Sequence, residues 1–192
     1  MSLEELVDNS RTDKNTVHAY LGLYDKLLAS KKYTAKNVLE IGIGDGNQGI
    51  TNGGSIKLWH DYFVNADVYA LDIQHIDTVW NELKLRNRIK LYTSIDAYDE
   101  DVVKHHLAGK KFDFILDDGP HSIESMIKYI QLYSPLLTDD GILMIEDVYA
   151  IEWLDVLYGA VPKELQKYIK MYDLRAIKNQ YNDIIFTIDK ST

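Results

Sequence analysis

Five short runs of β-branched and aliphatic residues recur along the chain: NVLEIGIG (37–44), DVYALDI (67–73), RIKLYTSI (88–95), KFDFILDD (111–118) and GILMIEDV (141–148). Between them lie segments with helical periodicity, 55–63, 78–85, 98–107 and 122–137. Strand-length apolar runs that alternate with amphipathic helices bury both faces of a parallel sheet, so the pattern predicts an α/β fold with helices on both faces. Ahead of the first run, Val17, Tyr20, Leu21, Tyr24, Leu27 and Leu28 repeat at helical spacing and predict an N-terminal helical cap within residues 1–30. After the fifth run the pattern changes. WLDVLYG and PKELQKY read as helical, and IKMYDLRAI and NDIIFTIDK read as two strands joined by the polar turn KNQY. That link is too short for a helical crossover, so the last two strands are expected to pair as an antiparallel hairpin, giving seven strands, mostly parallel.

No repeat, linker or low-complexity tract interrupts the 192 residues, which predicts a single domain over 1–192. No apolar run approaches the roughly 20 residues of a membrane span. The opening MSLEELVDNSRTDK lacks the basic and apolar segments of a secretory signal, so a cytoplasmic location is expected. A net charge of -9 argues against nucleic acid as a partner. Cysteine is absent, which excludes disulfides, thiolate metal sites and cysteine nucleophiles together. Chemistry in this chain rests on oxygen and imidazole.

Open α/β sheets bind ligands at the carboxyl ends of their strands. The polar residues that end each run therefore belong together: Glu40 and GIGDGNQG, Asp72, Asp96, DDGPH, and Glu146 with Asp147. Gly42, Gly44 and Gly46 follow Glu40 as ExGxGxG, and Gly44, Gly46 and Gly49 also fit GxGxxG, a turn that brings backbone amides close to a ligand. An acid ending the second strand suits the vicinal hydroxyls of a ribose, so Asp72 with the glycines favours an adenosyl ligand, dinucleotide or sulfonium. Glu40, Gly42, Gly44, Asp72, Ile73, Asp96 and Asp117 are the candidate cofactor-binding residues. The closing hairpin and the carboxylates on strands four and five argue against a nicotinamide dinucleotide.

With strands four and five adjacent, Asp118 faces Glu146 and Asp147 across roughly 4.8 Å. Three carboxylates without a thiolate suit a hard divalent cation, Mg²⁺ first, with Mn²⁺ or Ca²⁺ as alternatives. His121 follows Asp118 through a Gly-Pro turn, ahead of a helix capped by Ser122, and imidazole is a suitable general base beside a cation-activated hydroxyl. Asp118 and His121 are the candidate catalytic pair.

The runs VLEIGIGDG, GGSIKLWHDYF, YALDIQ and DDGPHSIESMIKYIQLYSPLLTDDGILMIEDVY resemble class I S-adenosylmethionine-dependent methyltransferases of the macrolide sugar O-methyltransferase group. The resemblance covers roughly residues 11–150. It implies a Rossmann-like class I methyltransferase sandwich, S-adenosylmethionine as cofactor, Mg²⁺ on Asp118, Glu146 and Asp147, and His121 as base. The family's substrate-side TDK segment corresponds to Thr12, Asp13 and Lys14. In DDGPH, proline stands where serine is commoner. Larger family members carry a further N-terminal domain that shapes the acceptor pocket and the oligomer, where this sequence has almost nothing before TDK. The expected reaction is methyl transfer from S-adenosylmethionine to a hydroxyl of a sugar or glycoside, by a chain that is a candidate homo-oligomer. A catechol-type reaction on a phenol, and a non-catalytic adenosyl-binding module, are the alternatives.

Overall fold

The computed structural model describes residues 1–44 and 52–191, so Gly46 and Gly49 of the glycine pattern lie outside the described residues. The chain forms two compact units, Met1–Asp96 and Ala97–Thr192.

In the first unit the elements are α1 (Leu3–Leu6), α2 (Leu21–Leu28), β1 (Asn37–Ile41), α3 (Gly54–Tyr62), β2 (Asp67–Leu71), α4 (Asn81–Lys84) and β3 (Ile89–Tyr92). β1 pairs with β2 and β2 with β3, all parallel, in the registers Ile41↔Leu71 and Leu71↔Tyr92. Val38, Leu39, Val68, Ala70 and Leu71 are buried, the near-continuous apolar pattern of strands covered on both faces. Tyr24, Trp59 and Phe63 pack in sequence with ring centroids 5.9 and 6.3 Å apart, clamping α2 onto α3. Only glycine fits at the start of α3, because a Cβ on Gly54 would lie 2.3 Å from the Arg11 carbonyl oxygen.

The helix expected over 78–85 shrinks to the single turn of α4. The buried Asn52 side chain donates to the Thr78 carbonyl at 2.9 Å and accepts from the Trp80 amide at 3.1 Å. Both backbone groups are thereby taken from any continuous helix.

The second unit contains α5 (Glu100–Leu107), β4 (Phe112–Asp117), α6 (Ile123–Tyr133), β5 (Leu137–Ile145), α7 (Trp153–Ala160), β6 (Ile169–Asp173), α8 (Arg175–Lys178) and β7 (Ile184–Asp189). β4 and β5 are parallel neighbours, β5 pairs antiparallel with β7, and β7 pairs antiparallel with β6. The strand order is β3-β2-β1-β4-β5-β7-β6, a seven-stranded sheet in which β7 runs antiparallel to both of its neighbours. Ser122 caps α6 as expected, accepting from the Ser125 amide at 3.1 Å.

Two sequence readings are corrected in this unit. PKELQKY forms successive i to i+3 turns, Leu165 to Pro162 and Tyr168 to Leu165, rather than an α-helix. The run IKMYDLRAI leaves the sheet at Asp173, whose carboxylate accepts the Arg175 amide and turns the chain into α8. The antiparallel pairing of the last two strands is present as expected.

Among the described residues, no helix is long and apolar enough to cross a membrane.

Candidate active site

The first unit supplies the glycine turn and the acid of β2. Gly42 and Gly44 leave β1 with φ of 94° and 153°, backbone that side chains rarely tolerate. Asp72 is buried and organises both loops around it. Its Oδ2 accepts the Ile43 amide at 2.6 Å, and its Oδ1 accepts the Gln74 amide at 2.8 Å. The Gln74 side-chain amide donates to the same Oδ2 at 3.0 Å. Ile73, between them, is 77% exposed, an isolated apolar side chain held at the strand's carboxyl end. The loop after β3 is tied to this turn, since the Ser94 amide donates to the Gln74 carbonyl and the Ile95 amide to that of Asp72. Asp96 follows on the surface.

Glu40 is placed differently from the other acids. It is fully buried, with Oε1 accepting Ser55 Oγ at 2.7 Å, Oε2 accepting Trp59 Nε1, and Lys14 Nζ 3.9 Å from Oε1. Its carboxylate is turned into the unit and joins β1 to α3. Lys14 of TDK is buried with it. Nothing in the sequence marked Ser55 or Trp59 as its partners.

In the second unit, β4 and β5 run in register with Asp117 beside Ile145, so the residues that follow each strand emerge side by side. The two acids of DDGPH separate. Asp117 is buried, and its Oδ1 accepts the Tyr98 hydroxyl. Burial pushes its pKa up to about 7 despite that hydrogen bond, with the Asp118 charge adding to the rise. Burial, with the Asp117 charge beside it, drives the Tyr98 phenol far above its ordinary range. Gly119 makes room for this pair. A Cβ there would lie 2.0 Å from the Tyr98 hydroxyl oxygen and 3.1 Å from Asp117 Oδ1.

Asp118 points elsewhere. Its Oδ1 lies 3.8 Å from His121 Nε2, which is also 3.6 Å from Asp147 Oδ2. Asp118, His121 and Asp147 each offer a ligand atom within 4.8 Å of the others. His121 and Asp147 hold φ of 55° and 53°, a left-handed backbone uncommon for side-chain-bearing residues and associated with functional turns. Asp147 is further fixed by Asn182, whose Nδ2 donates to Oδ1 at 2.8 Å from the β6–β7 connection. Glu146 is fully buried, its amide donating to the Asp117 carbonyl, and it is not one of the three groups that converge. Two converging carboxylates suit a divalent cation, and the imidazole nitrogen beside them suits proton transfer.

Against this geometry stands a match of residues 39–148 to the family model described as methyltransferase domain. The chain belongs to that family. The methyltransferase domain is 30% identical over 152 residues to L-olivosyl-oleandolide 3-O-methyltransferase of Streptomyces antibioticus, covering 79% of this chain and 38% of that protein. It is 28% identical over 166 residues to mycinamicin VI 2''-O-methyltransferase of Micromonospora griseorubida, covering 84% and 40% respectively. The chain thus spans roughly two fifths of the length of these curated relatives. Among solved structures, the MycE methyltransferase of the mycinamycin pathway, in complex with Mg, SAH and mycinamycin VI, superposes with a TM-score of 0.76. That match has 20% identity and covers 98% of this chain and 53% of MycE. An O-methyltransferase from Bacillus cereus in complex with SAH has a TM-score of 0.65 at 14% identity, covering 97% and 90%. These likenesses establish a Rossmann-like class I methyltransferase fold.

Tyr98 and Asn182 are the site residues that sequence reasoning missed. Each bonds its acid across a long stretch of chain, 19 and 35 residues respectively, and neither sits in a motif.

Proposed function

We propose that this methyltransferase domain transfers the methyl group of S-adenosylmethionine to a hydroxyl of a sugar or glycoside, with a divalent cation, Mg²⁺ first, assisting. The observation that carries the proposal is the convergence of Asp118, His121 and Asp147 within 4.8 Å at the carboxyl ends of adjacent strands. Relatives named as O-methyltransferases acting on olivosyl, rhamnosyl and mycinamicin substrates supply the acceptor class.

On this reading the first unit holds the adenosyl group. Asp72, preorganised by the Ile43 and Gln74 amides, accepts from the ribose hydroxyls, and the exposed Ile73 packs against the base. Asp96 is the further cofactor candidate of this unit, and Glu40 is held by Ser55 and Trp59; Asp117 is the cofactor candidate of the second unit.

In the second unit, Asp118 and Asp147 hold the cation. Glu146 lines the site from its buried position one residue before Asp147. When bound, the cation supplies Lewis acidity to the acceptor hydroxyl and a template for two neighbouring oxygens. His121 Nε2 takes the hydroxyl proton as the oxygen forms its bond to the methyl carbon and the carbon–sulfur bond breaks. Asn182 keeps Asp147 aimed, which in turn fixes what the imidazole faces.

The test is release of S-adenosylhomocysteine from S-adenosylmethionine with glycoside acceptors, before and after EDTA. Turnover is expected to fall on chelation and to return with Mg²⁺. His121→Ala is expected to lose about 10² to 10⁴ in rate, with S-adenosylhomocysteine binding retained by calorimetry. Undiminished turnover in that variant removes His121 from the mechanism, and undiminished turnover in EDTA removes the cation.

A further inference from the structure

The group formed by Asp118, His121 and Asp147 is bordered on one side by aromatic rings that nothing in the chemistry above employs. Tyr149 follows Asp147 by two residues, and its ring centroid lies 5.8 Å from the His121 ring. The Tyr181 and Trp153 rings lie 5.7 and 6.1 Å from that of Tyr149. Tyr149 is 41% exposed and Tyr181 65% exposed, so both rings keep an apolar surface in water beside the reacting groups. Large aromatic side chains left open in this way mark contact surfaces, because each presents an apolar face and a hydrogen-bonding tip with little conformational freedom to lose.

The rings are also fixed in place. Tyr181 sits on the β6–β7 connection next to Asn182, whose side chain is bonded to Asp147 at 2.8 Å. One short segment therefore positions an acid of the site and an exposed ring together.

We propose that Tyr149 and Tyr181 form the shelf on which the acceptor rests, taking the C–H face of a glycosyl ring and presenting its edge hydroxyl to His121. The proposal rests on the glycoside reading of the function and deepens it by naming the residues that select the acceptor. A six-membered sugar lying on Tyr149 spans about the distance between the Tyr149 and His121 rings, so a ring hydroxyl falls beside Nε2 while the sugar's apolar face stays on the phenol. Rhamnosides, with a methyl group in place of the exocyclic hydroxymethyl, carry more apolar surface to lay on such a shelf. The tyrosine hydroxyls are left at the rim to bond the outward oxygens.

The experiment uses methyl α-L-rhamnopyranoside with the full chain, Mg²⁺ and S-adenosylhomocysteine, followed by saturation-transfer NMR. Steady-state turnover with S-adenosylmethionine is measured in parallel. The ring C–H protons of the rhamnoside are expected to receive saturation from the wild type. Tyr149→Ala and Tyr181→Ala are expected to lose that signal and to raise KM roughly five- to tenfold, with a much smaller change in kcat. Tyr149→Phe and Tyr181→Phe retain the signal. Both tyrosines are solvent-exposed, so the alanine variants remain folded, and unchanged S-adenosylhomocysteine binding verifies it.

Full saturation and unchanged KM in both alanine variants overturn the shelf and leave the methyltransferase reading standing. A wild type that gives no rhamnoside signal also overturns the shelf. If that same protein methylates a catechol, the sugar acceptor falls with it while methyl transfer survives.

Discussion

Gly119→Ala is the sharpest probe of how DDGPH is built. The added Cβ meets the Tyr98 hydroxyl oxygen at 2.0 Å, a distance no packed structure accommodates, while the next contacts, Asp117 Oδ1 and Tyr98 Cζ, lie at 3.1 Å. Tyr98 must therefore swing away, and its hydrogen bond to the buried Asp117 goes with it. Overpacking costs about 1–3 kcal/mol, and a lost hydrogen bond to a charged or buried partner about 1.5–3 kcal/mol. The single variant is expected to lose about 3 kcal/mol. Tyr98→Phe alone loses the hydrogen bond, about 2 kcal/mol, and removes the one atom inside 3 Å.

In the double variant the Cβ then has only the 3.1 Å neighbours to satisfy, and the hydrogen bond is not lost twice. Its cost is expected near that of Tyr98→Phe plus at most about 1 kcal/mol, a coupling of about 2 kcal/mol relative to simple addition. Urea unfolding of the four proteins followed by tryptophan fluorescence measures the cycle. Additive losses within about 0.5 kcal/mol refute the account, because they show that the Gly119 requirement does not run through the Tyr98 hydroxyl.

Three further outcomes follow from other contacts. Asn182→Ala removes the donor that aims Asp147 and is expected to weaken Mg²⁺ binding by about 10- to 100-fold, read by calorimetry in the presence of S-adenosylhomocysteine; unchanged affinity disconnects Asn182 from the cation. Asn52→Ala leaves two part-buried backbone groups, the Thr78 carbonyl and the Trp80 amide, without their partner and is expected to cost about 1–2 kcal/mol in thermal or urea unfolding, with a loss under 0.5 kcal/mol counting against that role. In the metal-free chain, Asp117 binds its proton more tightly folded than unfolded, because burial raises its pKa from 3.8 to about 7. Stability from this group is complete below the unfolded value and is lost as pH rises through 7, so unfolding midpoints are expected to fall across that window and to flatten in Asp117→Asn.

Most of the fold could be read from the order of apolar runs, since a strand covered on both faces leaves a contiguous stretch such as FDFIL. The convergence of Asp118 with Asp147 was readable for a related reason: residues just past adjacent parallel strands share one rim. The turn begins inside each acidic doublet, so its two members part: Asp117 and Glu146 stay outside the converging group, and Asp118 and Asp147 enter it, Asp147 through a left-handed backbone that no periodicity marks. Glu40 carried a motif position that says nothing about direction, and only Ser55 and Trp59, contributed by α3, show that its oxygens are engaged internally. The helix expected over 78–85 failed because periodicity cannot register a competitor such as Asn52.

The placement of β7 governs the order in which the molecule can be completed as it is made. β5 pairs with β7, which is synthesised after β6 although it lies between β5 and β6 in the sheet. While β6 emerges, the outer edge of β5 has no strand to meet, and its amides and carbonyls wait until residues 184–189 arrive. The connection that delivers β7 also carries Tyr181 and Asn182. A nascent chain can thus have every helix and its parallel strands in place and still lack the aimed carboxylate. The aimed carboxylate would be among the last features completed, and an incompletely translated copy would leave β5 with an open edge.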